Sequence, residues 1–178
     1  MENKILIAGF GGQGILFAGK FLAYIGLNED KQVSWLPSYG PEMRGGTASC
    51  SVIVSETPVG SPIVSNPDIL IAMNLPSLDK YEDATKAGGQ IFVDSSLIER
   101  EVARDDVETY YIPATKMASD EGLTGLANMI MIGHMIAKSG IIPVENIEKA
   151  MQKVVPATKQ NMFDLNMKAV KLGFEYKA

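Results

Sequence analysis

Three features of the 178-residue sequence predict an α/β fold with a mostly parallel sheet: short apolar runs, helical-period segments between them, and a glycine-rich turn joining the first run to the first helix. Lys4 to Ala8 is the first run; it ends at Gly9 and reads as a strand buried on both faces. After Gly9-Phe10-Gly11-Gly12-Gln13-Gly14, small or apolar residues recur at Ile15, Ala18, Gly19, Leu22 and Gly26, a helical spacing, until the polar break at Asn28 to Lys31. Gln32 to Leu36 and Thr47 to Val54 follow as strands. Thr57-Pro58-Val59-Gly60 reads as a turn, and Ile63-Val64 as a return strand that would make an antiparallel hairpin with 47–54. Asp68 to Met73 is another strand, Pro76 to Ala87 a helix closed by Gly88-Gly89, and Ile91 to Val93 a strand ending in Asp94. Val107 to Ile112 is the last strand, and the rest is helical. Leu126 to Lys138 is apolar on nearly all sides, so it predicts a buried helix capped at Gly140. Ile147, Ala150, Met151 and Val154 mark an amphipathic helix starting near Pro143; Met162, Leu165, Ala169 and Leu172 mark a final one ending at Gly173. The sum is one Rossmann-like domain over residues 1–178, in three layers, with an antiparallel hairpin and a helical C-terminal third.

Composition excludes several kinds of chemistry. One cysteine closes no intramolecular disulfide and supplies neither the thiolates of an iron–sulfur cluster nor a Cys-rich zinc site. A net charge of -5 argues against nucleic-acid binding, which needs a basic face. The apolar runs are too short for a signal-peptide core or a membrane span, so a soluble cytoplasmic protein is expected.

The chemistry-bearing residues fall in two places. Gly9 to Gly14 matches G-x-G-x-x-G directly after a strand and before a helix. There glycines permit a tight turn, and the helix start offers free N–H groups to a phosphate. A dinucleotide reader also needs an acid closing the second strand, but that strand ends in Leu36-Pro37-Ser38; Glu29 and Asp30 precede it. What remains is a phosphate or anion site, with a turn whose glycines serve packing alone as the competing reading. Pro37 to Thr47 is a stiff loop containing Ser38, Tyr39, Glu42 and Arg44. If its flanking strands are parallel to the first, it meets the glycine turn, and Arg44 can clamp the same anion; bracing of the loop or of a subunit contact is the alternative. His134 reads as a satisfied core histidine and Cys50 as an inert buried thiol. Asp94 either binds a hydroxyl at the ligand edge or caps the next segment. No nucleophile–base pair or metal cluster is visible, so the chain reads as one piece of a larger machine.

Ile7 to Gly14, Trp35 to Ala48, Gly60-Ser61-Pro62 and Ile71 to Leu78 together resemble the gamma subunit of 2-oxoacid:ferredoxin oxidoreductases, and the resemblance continues through Ala127-Asn128-Met129. Within that family Ser38 to Gly46 is similar to the 2-oxoglutarate or branched-chain 2-ketoacid branch. The resemblance implies an enzyme that decarboxylates a 2-oxoacid on thiamine diphosphate, reduces ferredoxin through iron–sulfur clusters and forms an acyl-coenzyme A. It further implies that alpha and beta subunits hold thiamine diphosphate with Mg, that clusters lie in beta or a ferredoxin-like delta subunit, and that the gamma domain serves coenzyme A binding and assembly. Gly9, Gly11, Gly12, Gln13, Gly14, Ser38, Tyr39 and Arg44 are the residues expected at the coenzyme. Trp35, Leu36 and Met43 would face a partner, or a second copy in a homodimer of the isolated chain. The alternative function is an independent small nucleotide-binding protein or NAD(P)-dependent oxidoreductase.

Overall fold

The computed structural model describes residues 1–38 and 47–178. Six strands form one mixed sheet: β1 (Glu2–Gly9), β2 (Gln32–Ser38), β3 (Ala48–Ser55), β4 (Ile69–Ala72), β5 (Gln90–Asp94) and β6 (Glu108–Ile112), in the order β2-β3-β1-β4-β5-β6. β1, β4, β5 and β6 are parallel neighbours, while β3 runs antiparallel to both β1 and β2. β1 and β2 therefore point the same way, and their carboxyl ends share one edge of the sheet.

The burial of β1 and β4 follows from their position in the middle of the sheet. Ile5 and Ile7 of β1 and Ile69 and Ile71 of β4 face the larger core with α1 (Ile15–Leu27), α3 (Ala114–Asp120), α4 (Ala127–Ser139), α5 (Asn146–Val154) and α6 (Gln160–Glu175). Leu6, Leu70 and Ala72 face a smaller core with Leu78 of α2 (Leu75–Tyr81), Val64 and Ile98. Alternate residues thus enter opposite cores, which is why these runs read as continuously apolar. α1 lies close on the antiparallel side of the sheet because it carries glycines there: a Cβ at Gly26 would press on Val33 and Val54, and one at Gly19 would collide with Cys50.

Three boundaries differ from the sequence expectations. The antiparallel hairpin joins β2 to β3 rather than 47–54 to Ile63-Val64; Val64 drops into the smaller core and Ile63 stays exposed, so two residues never form a ladder. The helix expected over 76–87 stops at Tyr81, because Glu82 turns inward, where its carboxylate accepts from Arg100 at 2.7 Å and from the Ala103 N–H. Arg104 holds that turn from outside by donating to the Glu82 carbonyl at 2.9 Å and the Thr85 carbonyl at 2.5 Å. α6 runs through Gly173 to Glu175: the glycine is a crossing point, since a Cβ there would collide with the Ile130 carbonyl of α4, as one at Gly133 would with the Val170 carbonyl. Gly140, in contrast, caps α4 in the left-handed region at φ 64°. Among the described residues no helix is long and apolar enough to cross a membrane.

Candidate functional site

β1, β4 and β5 all end at one edge, and each is followed by a helix or a tight turn. After β1 the chain turns at Gly12 (φ 91°) and Gly14 (φ 72°), both in the left-handed region that side chains avoid. Gly14 is the N-cap of α1, and no side chain caps this helix. Among the described residues the N–H groups of Gly11, Gly12 and Gly14 have no partner. The turn borders a depression of about 360 Å³ lined by Phe10, Gly11, Gly12, Gly14, Leu16, Phe17 and Ala48. Unpaired donors at the positive end of a 13-residue helix, beside an open space, suit an anion.

The other turn residues brace this arrangement. Gln13 is folded back: its Oε1 accepts the Phe10 N–H at 2.6 Å and its Nε2 donates to the Met73 carbonyl at 3.1 Å, tying the turn to the end of β4. Gly9 leaves room for it, because a Cβ there would lie 2.5 Å from Gln13 Oε1 and 3.0 Å from the Met73 Cβ. Gly9 and Gln13 thus shape the turn, while Gly11, Gly12 and Gly14 present it. Across the edge, Ala48 pairs with Gly9 and Ser49 with Ser38, so the exposed Ser38 stands two strands from Gly9, roughly 10 Å away by ordinary strand spacing. Tyr39 and Arg44 lie outside the described residues, as do Glu42 and Met43. Trp35 and Leu36, on the edge strand beside this site, are exposed, as is Phe10 of the turn.

The dinucleotide reading meets a geometric obstacle. On one side β1 is flanked by the antiparallel β3, which brings its amino end, Ala48, to the turn, and on the other by β4, which ends in Ala72; among the described residues neither of these neighbouring ends carries an acid where a ribose would lie. Glu29 is at the opposite edge, holding Lys31 at 2.6 Å and accepting from Asn146.

The remaining candidates are structural. Asp94 is fully buried and its carboxylate accepts from the Ser96 N–H at 3.1 Å, the Thr115 N–H at 3.2 Å and the Thr115 hydroxyl at 2.6 Å, so it caps the following segments. Cys50 is buried, and desolvation pushes its thiol up to about 12 despite a hydrogen bond from Trp35. His134 sits edge-on to Phe92, Tyr110 and Tyr176, with Nδ1 3.3 Å from the Gly173 carbonyl; burial holds its pKa below the usual value, with nearby Lys138 adding to the effect. A residue that lies within the family resemblance but was given no role by it is Asn128, at the start of α4. Its Nδ2 donates to the Gly14 carbonyl at 3.0 Å, across 114 residues of chain. Among the described residues no group of three or more His, Cys, Asp or Glu side chains is arranged to hold a metal ion.

The sheet order and the uncapped turn define a Rossmann-like domain whose first turn, among the described residues, has unpaired N–H groups and no acid beside it. The chain belongs to the pyruvate ferredoxin/flavodoxin oxidoreductase family, whose profile matches residues 4–176. It is 39% identical over 176 residues to the ketoisovalerate oxidoreductase subunit VorA of Methanothermobacter thermautotrophicus, covering 98% of this chain and only 36% of that relative's length. It is 37% identical over 178 residues to the 2-oxoglutarate synthase subunit KorC of Methanocaldococcus jannaschii, covering 98% of this chain and 94% of the relative. Among solved structures, the gamma subunit of a keto/oxoacid ferredoxin oxidoreductase from Geobacter sulfurreducens superposes with a TM-score of 0.83 at 32% identity, over 97% of this chain and 96% of that one. The resemblance carried by the Gly9 to Gly14 and Trp35 to Ala48 motifs is borne out.

Proposed function

We propose that this chain is the gamma-type subunit of a multisubunit, cytoplasmic 2-oxoacid:ferredoxin oxidoreductase and that it contributes coenzyme A binding and assembly. The observation that carries the coenzyme assignment is the uncapped start of α1, where the Gly11, Gly12 and Gly14 N–H groups lack partners among the described residues beside the depression at Ala48. A phosphate of the coenzyme fits such a donor set without a side-chain cation, and Arg44 adds the charge clamp. When bound, coenzyme A supplies the thiol that receives the acyl group. This chain's part is to hold the phosphate end by backbone donors, with Gln13 keeping the turn's shape and Ser38 offering a hydroxyl on the far side of the edge. Thiamine diphosphate, Mg and the iron–sulfur clusters belong to the alpha, beta and delta partners, which also deliver electrons to ferredoxin. The 2-oxoacid is read as 2-oxoglutarate, supported by the likeness to KorC across nearly that subunit's whole length.

The test is production with its partner subunits, followed by steady-state kinetics with 2-oxoglutarate and with a branched-chain 2-oxoacid. Arg44→Ala is expected to raise the KM for coenzyme A about tenfold or more, the worth of a charge-assisted hydrogen bond, with the KM for the 2-oxoacid unchanged. An unchanged coenzyme KM in an intact complex would remove the coenzyme assignment. Saturable NAD(P)H binding by the chain alone, without copurifying partners, would favour the small dehydrogenase instead.

A further inference from the structure

We infer that Asn128 is the positioning residue of the coenzyme site, acting through the Gly14 carbonyl; this rests on the reading of the glycine turn as that site. Gly14 does two things at once: it sits in the left-handed region at φ 72°, and its carbonyl accepts the first intrahelical bond of α1, from the Ala18 N–H at 3.0 Å. The same carbonyl accepts Asn128 Nδ2 at 3.0 Å. A carbonyl only accepts, so the Asn128 atom facing it is the amide nitrogen. This leaves Asn128 Oδ1 buried and, among the described residues, without a partner, in a side chain that is 3% exposed. The bond to Gly14 is thus the one the buried Asn128 side chain makes among the described residues.

The approach is close enough to dictate the residue at position 14. A Cβ on Gly14 would run into the Asn128 amide, so steric fit and backbone conformation both demand glycine there. Asn128 is in turn fixed by α4, which is buried along 128–136 and crosses α6 at the Gly133 and Gly173 contacts without room for a methyl group. α4 is therefore a rigid post. Its first turn sets the direction of the Gly14–Ile15 peptide, which carries the Ile15 N–H, and anchors the C-terminal end of the turn that presents the Gly12 and Gly14 N–H groups.

The experiment uses the complex assembled with its partner subunits and reads the Kd of coenzyme A by calorimetry together with the melting temperature. Asn128→Asp keeps the shape but places a carboxylate against a carbonyl and beside an anion site; Kd is expected to rise about tenfold, the worth of one well-placed hydrogen bond to a charged ligand, and the melting temperature to fall, because the buried carboxylate has no compensating donor among the described residues. Asn128→Ala and Gly14→Ala should each weaken binding, and their double variant should lose less than the product of the two, because both act on one peptide. A Kd unchanged in Asn128→Asp while Gly12→Ala weakens binding would overturn the inference and leave the site standing. A Kd unchanged in all of these variants would overturn the site and the inference together. Loss of assembly in Asn128→Asp, or strict multiplicativity in the double variant, would also overturn it, by making Asn128 a packing residue.

Discussion

The ends of β1 and β4 lie side by side on the same edge of the sheet, yet one is open and the other closed. After β4, Asn74 caps α2 by accepting the Ser77 N–H at 3.0 Å, and Pro76 in the first turn has no N–H to satisfy. After β5, Asp94 fills the equivalent place with a carboxylate bound to three donors. After β1 there is no capping side chain among the described residues, and Gly11, Gly12 and Gly14 border a depression. The strand end is thus finished internally at two strands and, among the described residues, left without an internal acceptor at the first. Under the proposed function the parallel edge of this sheet divides into a stabilising part and a binding part.

That division makes ordered predictions. The largest effect on stability is expected from Asp94→Ala, which removes a buried carboxylate and orphans the half-buried Ser96 and Thr115 donors: about 3 kcal/mol lost in urea unfolding, with the Kd for coenzyme A unchanged in the complex. A shift in Kd would mean that the β5 end belongs to the site. Asn74→Ala should cost about 1 kcal/mol, the usual worth of an N-cap, and leave binding alone.

The pH dependence should be smaller and should come from the closed side. The fold depresses the His134 pKa below its ordinary value, so between the two values the unfolded chain binds more protons than the folded one. The contribution is fully present above about pH 6.5, and stability falls as pH drops below that value toward the folded pKa. Replacing His134 with Gln should flatten the melting-temperature profile below pH 6.5; an unaltered slope would assign it to carboxylates instead. The smallest effect expected is at Cys50. Although it lies under α1 next to the exposed Trp35, its thiol should resist iodoacetamide at pH 8 in the native protein and react on unfolding. Rapid native alkylation would show that the open region reaches beyond the glycine turn.

Parts of this division were legible in the sequence. The glycines at 9, 11, 12 and 14 stood after an apolar run and before a helical period; the left-handed backbone at Gly12 and Gly14 is a local demand, whereas the Met73 contact at Gly9 and the Asn128 contact at Gly14 are not. Gly140 as a C-cap and Glu29 as an acid on the wrong edge were legible for the same local reasons. Gly173 looked like a C-cap too, but proved to be a helix crossing, because the backbone of α4 occupies the space a side chain would need. The hairpin partner was misread because an apolar pair at 63–64 has a strand's composition without a strand's length, and only the ladder from 32–38 to 48–55 pairs along its full register.

By itself, then, the sequence determined the chemistry available: a chain with one thiol, an acidic balance and a glycine-rich turn between a strand and a helix, because composition and φ preferences are local properties. Tertiary structure alone decided which helix starts are capped, that β3 separates β1 from β2, and that Asn128 reaches Gly14. Those depend on pairings between residues far apart in the chain, which only the packing of the two cores brings within hydrogen-bonding distance.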